Sequence, residues 1–373
     1  MGVKIVAVGM VTALGLDWET SCAASRAGIL RASVLDHFPF QTEQIGEPQF
    51  ARGHQVDLLA KGFEGYGRLL RLLAGAMREI YLRFVAHPDT LRGAAVYLSL
   101  PDPVRSQPQI ERDSFDDTEL DPSPDDWALR LTTQASRLAG WPQAPRLQGL
   151  SVAGHAGFAQ VLQRAIAALD SGKADSCIVG GVDSLLDEDT LTWLLKTNRL
   201  KHPAHAAGLM PGEGAALFLL TTSANALLEI CSLEAVNLGE ESQTFMDDKA
   251  ANGSGLWRTV RTLSSWNSQR RSSKPIRVSL TSDHNGEVYR ARELGGFLVR
   301  CRGEIQIEND LPVVLPAISF GDTGAASGAI GMAVSARSLS RGYLPPIHNI
   351  VLSTSDGPLR GAILLRGVNH GGS

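Results

Sequence analysis

The sequence contains few cysteines, no long apolar run and no leading targeting segment. Its four cysteines, Cys22, Cys177, Cys231 and Cys301, are scattered without a CxxC pair. This spacing argues against a disulfide framework and a structural zinc site. Apolar runs such as Ala215–Leu220 are far shorter than the roughly 18 residues needed to cross a bilayer. The opening MGVKIVAVGM predicts a first strand rather than a signal peptide. We therefore expect a cytoplasmic protein that does not enter a membrane.

The chain also lacks an excess of positive charge. Its 35 Lys and Arg residues against 39 Asp and Glu residues give a formal net charge of −4, which argues against a nucleic-acid partner. With 43% hydrophobic, 20% charged and 6% aromatic residues, the composition is that of a globular protein and excludes disorder, collagen and coiled coil as the main architecture. A chain of 373 residues predicts one large domain or two of medium size.

Glycine is abundant, with 38 residues, and the glycines fall between predicted elements. Apolar runs predict buried strands, and the apolar positions at helical spacing from Phe158 to Leu169 predict a helix with one buried face. Gly172 is expected to cap that helix, and Gly180-Gly181 is expected to break the strand after it. The predicted strands of this half are Val3–Val8, Ala94–Leu100, Ser176–Val179 and 214–222, and the first helix is Trp18–Ala27.

The second half repeats this order of elements. Its predicted strands are Leu227–Leu238, Ile276–Leu280, Val313–Ile318 and Gly361–Leu365, and its helices are Gly255–Leu263 and 323–336. Alternating strands and helices indicate layered α/β architecture. We expect an internal duplication with halves 1–225 and 226–373.

Four segments resemble the β-ketoacyl-acyl-carrier-protein synthases of the thiolase superfamily. The resemblance implies a five-layered αβαβα fold of two pseudo-symmetric halves, dimerisation through the central sheet, and no cofactor. The segments are GMVTALGLDWETSCAASRAGI at 9–29, AIAALDSGKADSCIVGGVDS at 165–184, RLKHPAHAAGLMPGEGAALFLL at 199–220 and GDTGAASGAIGMAVSARSLSRGYLPP at 321–346.

The resemblance breaks at the position of the catalytic nucleophile. Condensation in this family uses a cysteine thiolate at a helix N-terminus, assisted by two histidines. Counting back from Gly180-Gly181 without a gap places His155 at the nucleophile position, whereas matching GHAG to the family pattern places Gly154 there. Neither residue supplies a sulfur atom.

The two family histidines are also altered. Alignment on Glu293 places Ser282 at the first histidine position, and His284 takes it if the loop is two residues shorter. Asp322 replaces the second histidine. Its carboxylate would repel a malonyl carboxylate or a thioester oxyanion.

The substrate-binding loop of the family differs as well. Its segment here is STSDGPL, with Asp356 at the position of the gating phenylalanine and Gly357 next to it. We expect Gly154, Asp356 and Gly357 to border the substrate site. With the nucleophile, a histidine and the gate altered together, we expect ordinary condensation to be absent.

Two functions fit these changes. In the first, the protein resembles a chain-length factor of fatty-acid or polyketide metabolism, and acts as a partner or scaffold subunit in a homodimer or in a heterodimer with an active ketosynthase. In the second, Ser282, His155 and Asp322 form a Ser-His-Asp relay, and the protein is an acyl-thioester or ester hydrolase or an acyltransferase. The spacing of the histidines does not favour a metal site.

A basic stretch in the second half is a candidate docking surface for acyl carrier protein. Carrier proteins are acidic, so a docking surface for them should be locally basic despite the net negative charge of the chain. The stretch contains Arg258, Arg261, Arg270, Arg271 and Lys274. The acid-rich segment Asp113–Asp126 is expected to lie in solvent.

Overall fold

Strands and helices alternate along the chain, as the hydrophobic pattern predicts. The computed structural model describes residues 2–42, 45–84, 91, 93–102, 123–223, 229–245, 247, 251–263, 278–304, 311–343 and 348–368. The strands are β1 (Val3–Thr12), β2 (Ser33–Thr42), β3 (Ile45–Gly53), β4 (Ala95–Ser99), β5 (Arg146–Ser151), β6 (Ser176–Ser184), β7 (Glu213–Thr221), β8 (Cys231–Glu240), β9 (Ser279–Ser282), β10 (Val313–Val314), β11 (His348–Thr354) and β12 (Leu359–Gly367).

Helices connect most of these strands. They are α1 (Trp18–Arg26), α2 (Asp57–Ala60), α3 (Gly65–Arg83), α4 (Pro124–Leu138), α5 (Gly157–Asp170), α6 (Glu188–Lys196), α7 (Ser254–Arg261), α8 (Val288–Glu304), α9 (Ala317–Phe320) and α10 (Ser327–Arg341). Short 3-10 turns, Gly154–Ala156 and Gly324–Ala326, precede α5 and α10. Within the described residues, no helix is both long enough and apolar enough to cross a membrane.

Ten strands form a sheet whose two sides repeat one pattern. The order is β10-β9-β11-β12-β8-β1-β7-β6-β4-β5. On each side of the middle, the two inner pairs are antiparallel and the two outer pairs are parallel. The two sides meet through β1 and β8, where Val3–Ile5 pairs with Cys231–Leu233. The repeated order supports a duplication, and the exact boundary between the halves stays a prediction.

Helices α5 and α10 lie between the two five-stranded parts. Helix α5 contacts β4 and β6 on one side and β8 and β12 on the other, and α10 contacts β11 and β12 as well as β6 and β7. Helices α3 and α4 cover the outer face of the first part, and α7 and α8 cover that of the second. The five layers confirm the fold class that the sequence predicts.

The core explains why α5 forms where the periodicity places it. Phe158, Val161, Leu162, Ala165 and Leu169 are all buried in one apolar cluster. Because these residues recur at helical spacing, one face of the helix enters the core. Burying such a face is the main source of stability for a helix of this length.

Some predicted element boundaries are wrong. Gly180-Gly181 does not end the strand, since β6 continues to Ser184. A Cβ atom on Gly180 would lie 2.2 Å from the Ala216 carbonyl oxygen, so these glycines permit close backbone contact inside the sheet. The predicted strand Val313–Ile318 is a strand only at β10, because Pro316 is followed directly by α9.

Candidate functional site

His155 lies in the 3-10 turn that leads from β5 into α5. Gly154 before it has a φ of +68°, a conformation that glycine adopts without the steric cost of a side chain. The His155 side chain is buried, with a relative exposure of 7% for the residue. The chain therefore presents an imidazole at the tip of a central helix, the place predicted for the nucleophile.

Both ring nitrogens of His155 are engaged. Nε2 lies 2.8 Å from Oδ1 of Asp322, and Nδ1 lies 3.2 Å from Nη2 of Arg290. A guanidinium can only donate hydrogen bonds, so Nδ1 accepts and Nε2 carries the proton that is donated to Asp322. The imidazole is therefore held in one tautomer between a cation and an anion.

Asp322 is fixed by three further contacts. Its Oδ2 accepts a hydrogen bond of 2.6 Å from Asn285, and its Oδ1 accepts one of 2.8 Å from the backbone N–H of Gly324. Its backbone N–H donates to the carbonyl of Met210. Burial opposes ionisation of this carboxyl group, but His155 and Arg290 hold its pKa below the usual range. Asp322 is therefore ionised at neutral pH.

Ser282 does not join this pair. Its hydroxyl accepts a hydrogen bond of 3.3 Å from the backbone N–H of His284, and it has no hydrogen bond to His155. Nδ1 of His284 is buried and has no hydrogen-bond partner among the described residues. The structure brings His155 and Asp322 together as expected, but it does not assemble the Ser-His-Asp relay.

Arg290 was not identified from the sequence and is central to the site. Its Nη1 donates to both the carbonyl and the hydroxyl of Thr354, each at 2.6 Å, and lies 3.4 Å from Asp283. Its Nη2 donates to Asp356 at 3.1 Å as well as to His155. Arg290 therefore links the imidazole to the loop that follows β11.

A second arginine, Arg199, extends this network. It forms a bidentate ion pair with Glu287, with distances of 2.7 and 2.9 Å, and a second one with Asp356, with distances of 2.6 and 3.1 Å. Its guanidinium carbon lies 4.4 Å from the ring centroid of Phe245 and 5.1 Å from that of Trp193. These contacts hold Arg199 in place by charge and by aromatic packing.

Asp356 accepts hydrogen bonds from three side chains. Besides the two arginines, the hydroxyl of Tyr289 donates to it at 2.6 Å. Burial opposes its ionisation, but Arg199 and Arg290 hold the pKa of Asp356 below the usual range. The only sequence signals for this network were the polar run 283–293 and the position of Arg199 in a family-like segment.

All four cysteines lie in the described residues and away from this site. Each of them is buried. Burial raises the pKa of Cys22 to about 12 and that of Cys177 to about 11. Such thiols are protonated at neutral pH and are poor nucleophiles.

A cleft of about 490 Å³ opens beside His155. Gly154, Asp356 and Gly357, the residues predicted to border the substrate, all line it. Its other walls are mainly apolar, with Leu185, Trp193, Leu194, Leu209, Pro358 and Leu359. The cleft is within the size range of roughly 300–1,000 Å³ for small-molecule sites.

The candidate docking stretch is described only in part. Arg258 and Arg261 are exposed at the end of α7, whereas Arg270, Arg271 and Lys274 lie outside the described residues, as does most of the acidic segment 113–126. Over the part of the chain that the structure covers, no three His, Cys, Asp or Glu side chains are grouped as metal ligands would be.

Comparison with known proteins identifies a ketosynthase fold. Residues 152–226, which include His155, match the sequence profile of the β-ketoacyl synthase N-terminal domain. No curated protein sequence matches the chain.

Similar solved structures include ketosynthases and a ketosynthase/chain length factor. The ketosynthase from module 6 of the bacillaene synthase of Bacillus subtilis 168 has 11% identity and a TM-score of 0.72, over 99% of this chain and 72% of that one. The ishigamide ketosynthase/chain length factor has 16% identity and a TM-score of 0.73, over 99% of both chains. A type II PKS acyl-carrier protein in complex with its ketosynthase has 13% identity and a TM-score of 0.75, over 98% and 99%.

Proposed function

We propose that this ketosynthase-like chain is a non-condensing subunit of fatty-acid or polyketide-type metabolism, similar in role to a chain-length factor. The ketosynthase fold spans the whole chain, and the matched segment 152–226 contains the altered nucleophile position. The scaffold of the family is therefore retained around a changed site.

The observation that carries this proposal is the position of His155 at the helix tip and the hydrogen bonds of its ring. Condensation requires a thiolate to accept the acyl group. Here an imidazole occupies the helix tip, and its two nitrogens are bonded to Asp322 and Arg290. Acyl transfer to this position would have to break buried hydrogen bonds, and none of the four cysteines, all of which are described, lines the cleft beside it.

Asp322 adds a second obstacle to condensation. Its ionised carboxylate stands where the family has a histidine that stabilises developing negative charge. In a site of low dielectric constant, a fixed negative charge raises the energy of an oxyanion. The site therefore disfavours both the substrate and the transition state of a condensing enzyme.

The expected partner is an active ketosynthase or a second copy of this chain. Within the described residues, β5 is an edge strand of the sheet, paired only with β4. An unpaired strand edge can continue a sheet into another subunit. A ketosynthase/chain length factor is among the similar structures, and a cytoplasmic complex that receives acyl carrier protein follows from this proposal.

The hydrolase alternative is not favoured. A serine relay needs a hydrogen bond between the hydroxyl and the imidazole. Ser282 makes none to His155, whose nitrogens already contact Asp322 and Arg290.

Reconstitution tests the proposal. The purified chain, an active ketosynthase from the same genome, and both together are incubated with acyl and malonyl carrier protein, and the products are separated by mass. We expect no condensation by the chain alone, and a changed product length or yield when both are present. Condensation by the chain alone would refute the proposal, and so would a ketosynthase that is indifferent to its presence.

A further inference from the structure

The cleft beside His155 combines apolar walls with a charged floor. The walls come from separate segments, with Leu185 before α6, Trp193 and Leu194 on α6, and Leu359 at the start of β12. The charged and titratable residues that line the floor and mouth are Asp102, His155, Arg199, Asp322 and Asp356. A ligand that fits this shape has an apolar chain and one polar end.

The floor and the residues behind it carry a net negative charge. Two guanidinium groups, on Arg199 and Arg290, face four carboxylates, on Asp283, Glu287, Asp322 and Asp356. Because four carboxylates outnumber two guanidinium groups, this network is negatively charged in either protonation state of His155. The adjacent pair Glu293–Arg360 is balanced. Partial burial makes this charge act more strongly on a ligand than it would in water.

Asp356 is the point where this charge reaches the cleft. Its side chain is 35% exposed, whereas those of Arg199, Arg290 and Glu287 are at most 5% exposed. Oδ1 accepts three hydrogen bonds, but Oδ2 accepts only one, from Arg199. A carboxylate oxygen has two lone pairs, so Oδ2 retains capacity for another donor.

The floor offers little to a ligand carboxylate. Arg199 is bonded to two carboxylates and packed between two aromatic rings. Arg290 is buried behind His155 and Asp356. A carboxylate entering the cleft would meet Asp356 and Asp322, and the one cation among the described residues that line the cleft, Arg199, is already paired.

We propose that the cleft binds a medium-length apolar chain that ends in a protonated amine, with the ammonium group donating to Oδ2 of Asp356 and the chain lying against the leucine and tryptophan walls. This inference rests on the proposed loss of condensing activity at the same site. The proposed ligand is positively charged, whereas the malonyl group that a condensing site accepts is negatively charged.

A series of ligands with one chain and three head groups tests this. Octylamine, octanol and octanoate are titrated into the full chain by calorimetry at pH 7.5, where the amine is protonated. We expect a Kd for octylamine at least tenfold below that for octanoate, with octanol between them. Equal or tighter binding of octanoate would overturn the proposal, and so would the absence of octylamine binding at millimolar concentration.

Two variants locate the binding. Asp356→Asn removes the charge and should abolish the preference for octylamine. Because Asp356 also pairs with both arginines, its folding is checked by thermal unfolding. Gly357→Phe narrows the cleft at a position where an added Cβ meets nothing within 4 Å, and should weaken all three ligands by a similar factor. Undiminished octylamine binding by Gly357→Phe would place the ligand elsewhere and refute the assignment.

The same titrations separate this inference from the proposed function. Failure of amine binding in a chain that does not condense would refute only the ligand assignment. Condensation by the wild-type chain would refute the proposed function whatever the cleft binds.

Discussion

The contact between His155 and Asp322 joins positions 167 apart in the sequence. The family resemblance predicts that these two positions converge, and they do. It could not predict Arg290, because nothing in the local sequence specifies which distant side chain contacts His155. Buried charges are stable only when they are paired. If Asp322 and Asp356 are buried, they therefore require cationic partners, and arginines are the natural candidates.

Removal of the Asp322 charge tests how far this network stabilises the fold. Asp322→Ala leaves His155 and Asn285 without their buried carboxylate partner, and we expect a loss of about 3–5 kcal/mol in the free energy of unfolding. Urea denaturation measures it. The control is Glu19→Gln, which removes a surface pair with Arg337 whose glutamate is 51% exposed and should cost at most about 1 kcal/mol. Equal effects of the two variants would contradict the account of the site.

Glu79 on α3 predicts a pH dependence of stability. It accepts hydrogen bonds from the backbone of Met10 and Trp18, and burial raises its pKa to about 7. A carboxyl group with a raised pKa binds a proton more tightly in the folded state. The contribution of Glu79 to the stability of the folded state is therefore complete below its unfolded pKa. It is lost as the pH rises through about 7.

Glu79→Gln should remove this contribution. Its amide oxygen can still accept from the backbone without carrying a charge. We expect the variant to gain up to about 3 kcal/mol relative to wild type between pH 5 and pH 8, measured by urea unfolding at both pH values. Glu64→Gln at an exposed position is the control and should leave the pH dependence intact.

At the scale of elements, the hydrophobic periodicity correctly predicts α5 and the helix that begins at Trp18. The expected strand break at Gly180-Gly181 is wrong, since β6 continues to Ser184. Hydrophobic spacing reports which face of an element is buried, and this is sufficient for an amphipathic helix. It does not report how closely two backbones approach. The glycines of β6 serve that approach, since Gly180 faces the Ala216 carbonyl and Gly181 faces the Ala325 carbonyl.

Glycine-to-alanine changes distinguish a glycine needed for close backbone contact from one that has open space around it. Gly180→Ala places a Cβ atom 2.2 Å from a backbone oxygen, and we expect a loss of about 1–3 kcal/mol or more from overpacking. Gly295→Ala in α8 meets nothing within 4 Å and should stabilise the protein by about 0.5–1 kcal/mol. Thermal and urea unfolding compare the two, and tolerance of Gly180→Ala would show that β6 does not require close contact.

For the whole molecule, the repeated order of elements in the sequence corresponds to the repeated order of strands in the sheet. The sequence therefore predicts the architecture, because alternation of strands and helices is preserved along the chain. It does not predict where the two halves join, since the short pairing of β1 with β8 depends on tertiary contacts. Within the described residues, β5 is paired only with β4, and we expect another subunit to pair with its other edge.

A proline on this edge tests the expected mode of assembly. Gln148 is exposed on β5 and is skipped at the register shift in the pairing of β5 with β4. Gln148→Pro removes its backbone N–H and fixes its φ angle, which should disfavour continuation of the sheet. We expect light scattering to show loss of the dimer or of the complex with a ketosynthase, while circular dichroism remains unchanged. Arg302→Gln, at an exposed position on α8, is the control, and an intact complex in Gln148→Pro would show that the subunits pair elsewhere.

The most direct test of the central claim is the intact mass of the chain after incubation with an acyl carrier protein that bears a thioester-linked acyl group. An active ketosynthase, treated in the same way, gains the mass of the acyl group. Because the imidazole at the tip of α5 is bonded to Asp322 and Arg290 and the four cysteines are buried, we predict no increase in the mass of this chain. A stable acyl adduct on any of its cysteines, transferred to a condensation product when malonyl carrier protein is added, would contradict the account.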